Sequence, residues 1–173
     1  SGAADDQRMA QLRSVTQKTA ELIIREYERK AGKILLVANS YAQAQEVQQT
    51  LEAALRKANC PARVCRMVSD AISTQNDQST IRRGEVGRFA KMSEEILIAP
   101  AMAIERGHNI VDEYGHSALC AVFFMVRPMA IPDDIQQQGS KLNGFIESHC
   151  KRAPHESLFA YNVRIRQFSA QQW

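Results

Sequence analysis

Arg106, Gly107 and Asn109 are the residues of this 173-residue chain whose types and spacing are best suited to chemistry. They close the stretch Glu94 to Ile110. Within it, a β-branched apolar run, Ile96 to Ala99, is followed by Pro100, by the small-residue segment Ala101 to Ile104, and then by Glu-Arg-Gly-His-Asn. The run is too short for a helix and has the fully buried character of a parallel-sheet strand. Pro100 stops it and can open the next helix, and Gly107 ends that helix by allowing positive φ. Open α/β sheets hold their ligands at such a place, just beyond the carboxyl end of a strand. An Arg-Gly turn there can present Arg106 and backbone N–H groups to a phosphate, and Asn109 can hydrogen-bond a ribose. The same spacing is satisfied if Gly107 is only a helix cap and Asn109 an ordinary turn residue.

The elements that must position this turn follow from periodicity. Asp5 to Lys30 reads as a long helix with Leu12, Val15, Ala20, Ile23, Ile24 and Tyr27 roughly on one face, either an add-on outside the sheet or a link from a preceding domain. Lys33 to Ala38 is a buried strand. Asn39 and Ser40 follow, with Ser40 as N-cap of a helix over 41–58 that Asn59-Cys60-Pro61 ends. Ala62 to Val68 alternates as a strand does, and Ser69 to Ser79 is a polar loop. Thr80 to Met92 has a mixed helical pattern with Ile81, Val86 and Phe89 apolar. Ala118 to Val126 is the most apolar strand. Pro132-Asp133-Asp134 starts a helix towards Cys150, and Leu158 to Phe168 alternates as a further strand. Strands separated by helical stretches predict an α/β fold with a mainly parallel sheet, residues 32–173, preceded by an N-terminal helical extension, residues 1–31.

Composition narrows the function classes. The apolar share of 45% and the charged share of 24% are ordinary for a globular domain, and the net charge of +3 is compatible with nucleic acid without arguing for it. No apolar run approaches about 20 residues and no export signal is visible, so an intracellular protein, cytoplasmic or nuclear, with no membrane span is expected. The four cysteines form no Cys-x-x-Cys pair, so neither a disulfide framework nor a zinc site is expected, and the metal expectation for this chain is none. No hydrolytic nucleophile elbow occurs. Arg63, Arg66, Arg82, Arg83, Arg88 and Lys91 are available to phosphates, although Glu85, Glu94 and Glu95 dilute the patch.

The order of these pieces resembles the second RecA-like lobe of superfamily 2 helicases, the DEAD/DExH-type motors, over about residues 33–150. Lys33 to Leu55 looks like the opening strand and helix of that lobe. Arg82 to Phe89, followed by Ile96 to Ala99, looks like the approach to the fifth motif. Ala99 to Ile110 looks like that motif itself, and Gln136-Gln137-Gln138-Gly139 like the start of the sixth. The resemblance implies nucleotide-facing Arg106, Gly107 and Asn109, and nucleic-acid contacts from Asn39, Ser40, Arg82, Arg83 and Arg88. It also implies ATP and Mg2+ as cofactors of an intact parent, a separate first RecA-like lobe as partner, and DNA or RNA as substrate; the oligomeric state is left open.

The sixth motif departs from the pattern. Its two arginines, fingers on the γ-phosphate, are matched by Ser140 and Asn143, and Lys141 is the only cation of that turn. Either the register differs, or Arg127, Lys141 or Arg152 substitutes, or the region around Gln136, Gly139 and Lys141 is degenerate. No phosphate loop occurs, because Gly32-Lys33 precedes its strand and is followed by Ile34. Asp112-Glu113-Tyr114-Gly115-His116 has the wrong spacing for a DExH box and reads as a solvated loop. This chain alone is therefore expected to be an incomplete ATPase. The alternatives are a degenerate lobe used for protein interaction or scaffolding, and a Rossmann-like small-molecule binder. The second is disfavoured because no glycine-rich turn follows Val37.

Overall fold

Two apolar runs that lack alternation, Lys33–Ala38 (β1) and Ile96–Pro100 (β4), pair in parallel with Ile34 opposite Ile96 and Ala38 opposite Pro100. Unbroken apolar sequence is what a strand covered on both faces requires. The computed structural model describes residues 2–71, 79–104 and 110–126. In chain order these form α1 (Gly2–Glu28), β1, α2 (Tyr41–Lys57), β2 (Val64–Val68), β3 (Thr80–Arg82), a 3-10 helix (Arg83–Lys91), β4, α3 (Ala101–Ile104) and β5 (Leu119–Phe124). The strands make one sheet in the order β3-β2-β4-β1-β5, and every pairing is parallel. The fold is thus α/β, with a five-stranded all-parallel sheet flanked by helices.

Each face of the sheet has its own core. Ile34, Leu36, Ala38, Ile96 and Ile98 point to the side covered by α1 and α2 and meet Leu12, Ile23, Val47 and Leu51 there. Leu35, Val37, Leu97 and Ala99 point to the other side and meet Val86, Phe89, Ala103, Ile104 and Ile110. The period of two thus assigns alternate residues of one run to two different helical layers. Helix α1 is more than an appendage, because Leu12, Ala20 and Ile23 belong to the same buried cluster as the strand residues. Arg13 ties it to α2 through Glu46 at 3.0 Å.

The ends of α2 are set by local chemistry. Ser40 is the N-cap, its Oγ accepting from the Gln43 N–H at 3.1 Å, and Gln43 Oε1 in turn accepts from the Asn39 N–H at 3.1 Å. One orphan donor of the helix, the Gln43 N–H, and the Asn39 N–H just before the cap are thus satisfied locally, a variant of the capping box displaced by one residue. At the other end Asn59 takes a left-handed φ of 52°, and Cys60 N–H reaches back to Leu55 O while Asn59 N–H reaches Arg56 O. That is the Schellman arrangement, with asparagine in the position glycine usually holds. Ser40→Ala should lower stability by about 1 kcal/mol, read as a shift in the urea midpoint at unchanged slope.

One stretch differs from the sequence expectation. Thr80 to Met92 is not a single helix: Thr80–Arg82 is the edge strand β3, with Ile81 alone buried, and the 3-10 helix begins at Arg83. Three residues carry too little alternation to register as a strand, and Gly84 and Gly87 weaken an α-helix there. The boundary at Pro100 also moves by one residue. Proline ends β4, where the missing N–H interrupts little, and α3 starts at Ala101. The Asp112–His116 segment is a tight exposed turn, with Asp112 Oδ1 accepting from the Tyr114 and His116 N–H groups, so it remains the solvated loop its spacing predicts. The expected helix over 132–150 and strand over 158–168 lie outside the described residues.

Candidate functional site at the carboxyl edge of the sheet

Because all five strands are parallel, the chain leaves each of them at the same edge. That edge carries Asn39 and Ser40 after β1, Ser69 and Asp70 after β2, Arg83 and Gly84 after β3, and Ala101 and Met102 after β4. Among the neighbouring strand ends, β1 and β4 form the switch point. From Ala38 the chain turns to α2 on one face, and from the paired Pro100 it turns to α3 on the other. Diverging connections open a crevice between adjacent strand ends, and this is where such sheets bind ligands.

The sequence-predicted residues divide into three groups. Asn39 and Ser40 stand at the switch point, half-buried and exposed respectively. The Ser40 hydroxyl is already engaged as the helix cap, so only its second lone pair and its proton remain for a ligand. Arg82 and Arg83 stand at the far end of the same edge. With β2 and β4 intervening, three strand spacings separate them from Asn39 by about 14 Å. Arg88 does not share that edge: it lies on the 3-10 helix leading back to the amino edge, where the ring centre of its neighbour Phe89 is 5.1 Å from the Lys33 ammonium. Arg83 Nε lies 3.5 Å from Asp70 Oδ2, and Arg88 lies 3.2 Å from Glu85, one turn away on its own helix. Both pairs are substantially exposed, so each contributes little to stability. The third group, Arg106, Gly107 and Asn109 with Gln136, Gly139 and Lys141, lies outside the described residues. The described chain stops at Ile104 and resumes at Ile110, both buried in the same face of the sheet.

Two polar residues at the sheet edges were not singled out from sequence. Asp70 ends the β2 segment and holds the start of the 3-10 helix, its Oδ1 accepting from the Gly84 N–H at 3.0 Å. An acid two residues past an alternating strand was the available signal. Lys33 sits at the opposite, amino edge. Its ammonium donates to Met92 O at 2.5 Å and Glu94 O at 2.7 Å and lies 5.1 Å from the centre of the Phe89 ring. It clips the segment before β4 onto β1.

Burial pushes the Lys33 ammonium below its ordinary value of 10.5, against the opposing pull of Glu95 and Glu94. The unfolded chain then holds this proton more tightly than the folded one. Lys33 therefore contributes more stability as pH rises through the depressed value towards 10.5. The stability difference between wild type and Lys33→Met should accordingly widen in favour of wild type as pH rises towards the ordinary value of 10.5 in paired urea titrations. A constant or narrowing difference would contradict it.

The amino edge also holds a cavity of about 290 Å³ lined by Glu52, Arg56, Cys60, Arg63 and Glu94. Its charges are mixed and it lies away from every strand's carboxyl end, so it does not share the crevice's chemistry. Among the described residues no group of three metal-ligating side chains occurs, and no helix is long and apolar enough to cross a membrane. No family model, curated protein or solved structure matches the chain.

Proposed function

We propose that this chain is the second RecA-like lobe of a superfamily 2 helicase-like, nucleic-acid-dependent ATPase. In this reading it supplies nucleotide and nucleic-acid contacts, and a separate first lobe supplies the phosphate loop that binds ATP and Mg2+ in the intact parent. The observation that carries the reading is the pairing of Ala38 with Pro100 at a switch point. Two of the four stretches that carry the resemblance, Lys33 to Leu55 and the start of Ala99 to Ile110, diverge from that one place. A bound strand would track the carboxyl edge, from Asn39 and Ser40 towards Arg82 and Arg83, with Arg88 reached only by a strand that continues down the 3-10 helix, while Arg106 and Asn109 would face the nucleotide held between lobes.

A second reading is favoured by Ser140 and Asn143, which stand where arginine fingers are expected. Without a finger, a lobe of this kind loses orders of magnitude in hydrolysis rate and serves docking or scaffolding instead. Fluorescence anisotropy of labelled single-stranded DNA and RNA, titrated with the chain at two salt concentrations, tests the first reading. Binding that weakens steeply with salt is expected. Absence of salt-sensitive binding to either strand would remove the nucleic-acid role and leave the scaffolding reading.

A further inference from the structure

Arg83, the first of the proposed phosphate-facing arginines beyond β3, is already in contact with an anion, and that anion belongs to the chain. Strands β2 and β3 pair with a constant offset of 14 residues, Arg66 opposite Thr80, Met67 opposite Ile81 and Val68 opposite Arg82. The same offset continues past the strand ends, where Asp70 Oδ1 accepts from the Gly84 N–H at 3.0 Å. Asp70 is thus anchored by its side chain to the first turn of the 3-10 helix, just beyond the ladder. With one oxygen fixed on Gly84, the other lies 3.5 Å from Arg83 Nε. The Arg88–Glu85 pair is different in kind, because it joins two side chains three residues apart on one helix and the arginine is largely exposed. Such a pair forms and breaks freely.

Resting on the nucleic-acid reading above, we propose that Asp70 is an intramolecular competitor that occupies Arg83 in the free chain and must share or yield it when a backbone phosphate binds. A carboxylate and a phosphate oxygen seek the same guanidinium donors. The carboxylate is tethered, so its local concentration does not fall on dilution. It therefore weakens strand binding and reduces the number of counterions the complex releases. Asn at position 70 retains an oxygen for the Gly84 N–H and loses the charge that engages Arg83, so it separates competition from folding.

The test is an anisotropy titration of a fluorescein-labelled oligothymidylate with the full chain, comparing wild type, Asp70→Asn, Arg83→Gln and the double variant. A control, Glu94→Gln, removes a carboxylate from the opposite edge. Asp70→Asn should bind about two- to fivefold more tightly than wild type, with a salt slope steeper by about 0.7. The gain should vanish in the Arg83→Gln background, and the control should show none of it. Equal affinity of Asp70→Asn and wild type, or a gain that persists without Arg83, would overturn the proposal while leaving the nucleic-acid reading standing. Absence of binding by wild type and Asp70→Asn alike would overturn both. Binding by Asp70→Asn alone would support competition in its strongest form.

Discussion

Gly32→Ala is expected to destabilise the protein by about 2–4 kcal/mol, lowering the melting temperature by very roughly 10 °C. Gly32 enters β1 with φ 151°, a backbone conformation that L side chains rarely adopt. A Cβ built there would lie 2.7 Å from the Ala118 carbonyl oxygen and 3.2 Å from the Cys120 Cβ. The first of these is backbone and cannot swing away. It is also the acceptor for the Lys33 N–H at 2.8 Å, the bond that starts the β1–β5 ladder. Relief of the clash therefore requires either loss of that bond or displacement of β5. Most single domains have only about 5–15 kcal/mol of stability, so a large fraction would be lost. Differential scanning calorimetry reads the effect directly, and a melting temperature within a degree or so of wild type would contradict the account of this contact.

Replacing Arg82, Arg83 and Arg88 together by Gln should reduce single-strand affinity by about 10- to 100-fold and lower the salt slope by about 2, as expected for the loss of three phosphate contacts at about 0.7 each. Thermal stability should change far less. Among the described residues Arg83 and Arg88 pair with exposed carboxylates, each pair worth at most about 1 kcal/mol, so these two replacements cost little. A variant that keeps its melting temperature and loses binding identifies the end of β3 and the 3-10 helix after it as contact surface. Unchanged affinity would remove all three arginines from the interface and confine the site to the switch point.

The sequence carried the central strands and left the edge strand hidden, for a physical reason. Lys33–Ala38 and Ile96–Pro100 are covered on both faces, so nearly every position is apolar and the run is visible without any partner. The cap at Ser40 and the stop at Asn59 were equally legible, because both use side-chain chemistry within a few residues. In β3 only Ile81 is buried, and its pairing with Met67 depends on a register set across the intervening loop. The Asp70–Gly84 bond and the Asp70–Arg83 pair were invisible for the same reason: they follow from an offset of 14 that no local pattern encodes. Lys33 looked like half of a misplaced phosphate-loop signature. Its hydrogen bonds to carbonyls about sixty residues away make it a structural clip.

The central claim is that nucleic acid lies along the carboxyl edge of the sheet. Photocrosslinking of a thiouridine-containing single strand to the full chain, followed by mass-spectrometric mapping of the modified peptides, tests it most directly. The account predicts crosslinks in the peptides that carry Asn39–Ser40 and Arg82–Gly84, suppressed by excess unlabelled strand and by added salt. Crosslinks concentrated at the amino edge, around Arg56 and Arg63, or spread evenly over the surface, would contradict it.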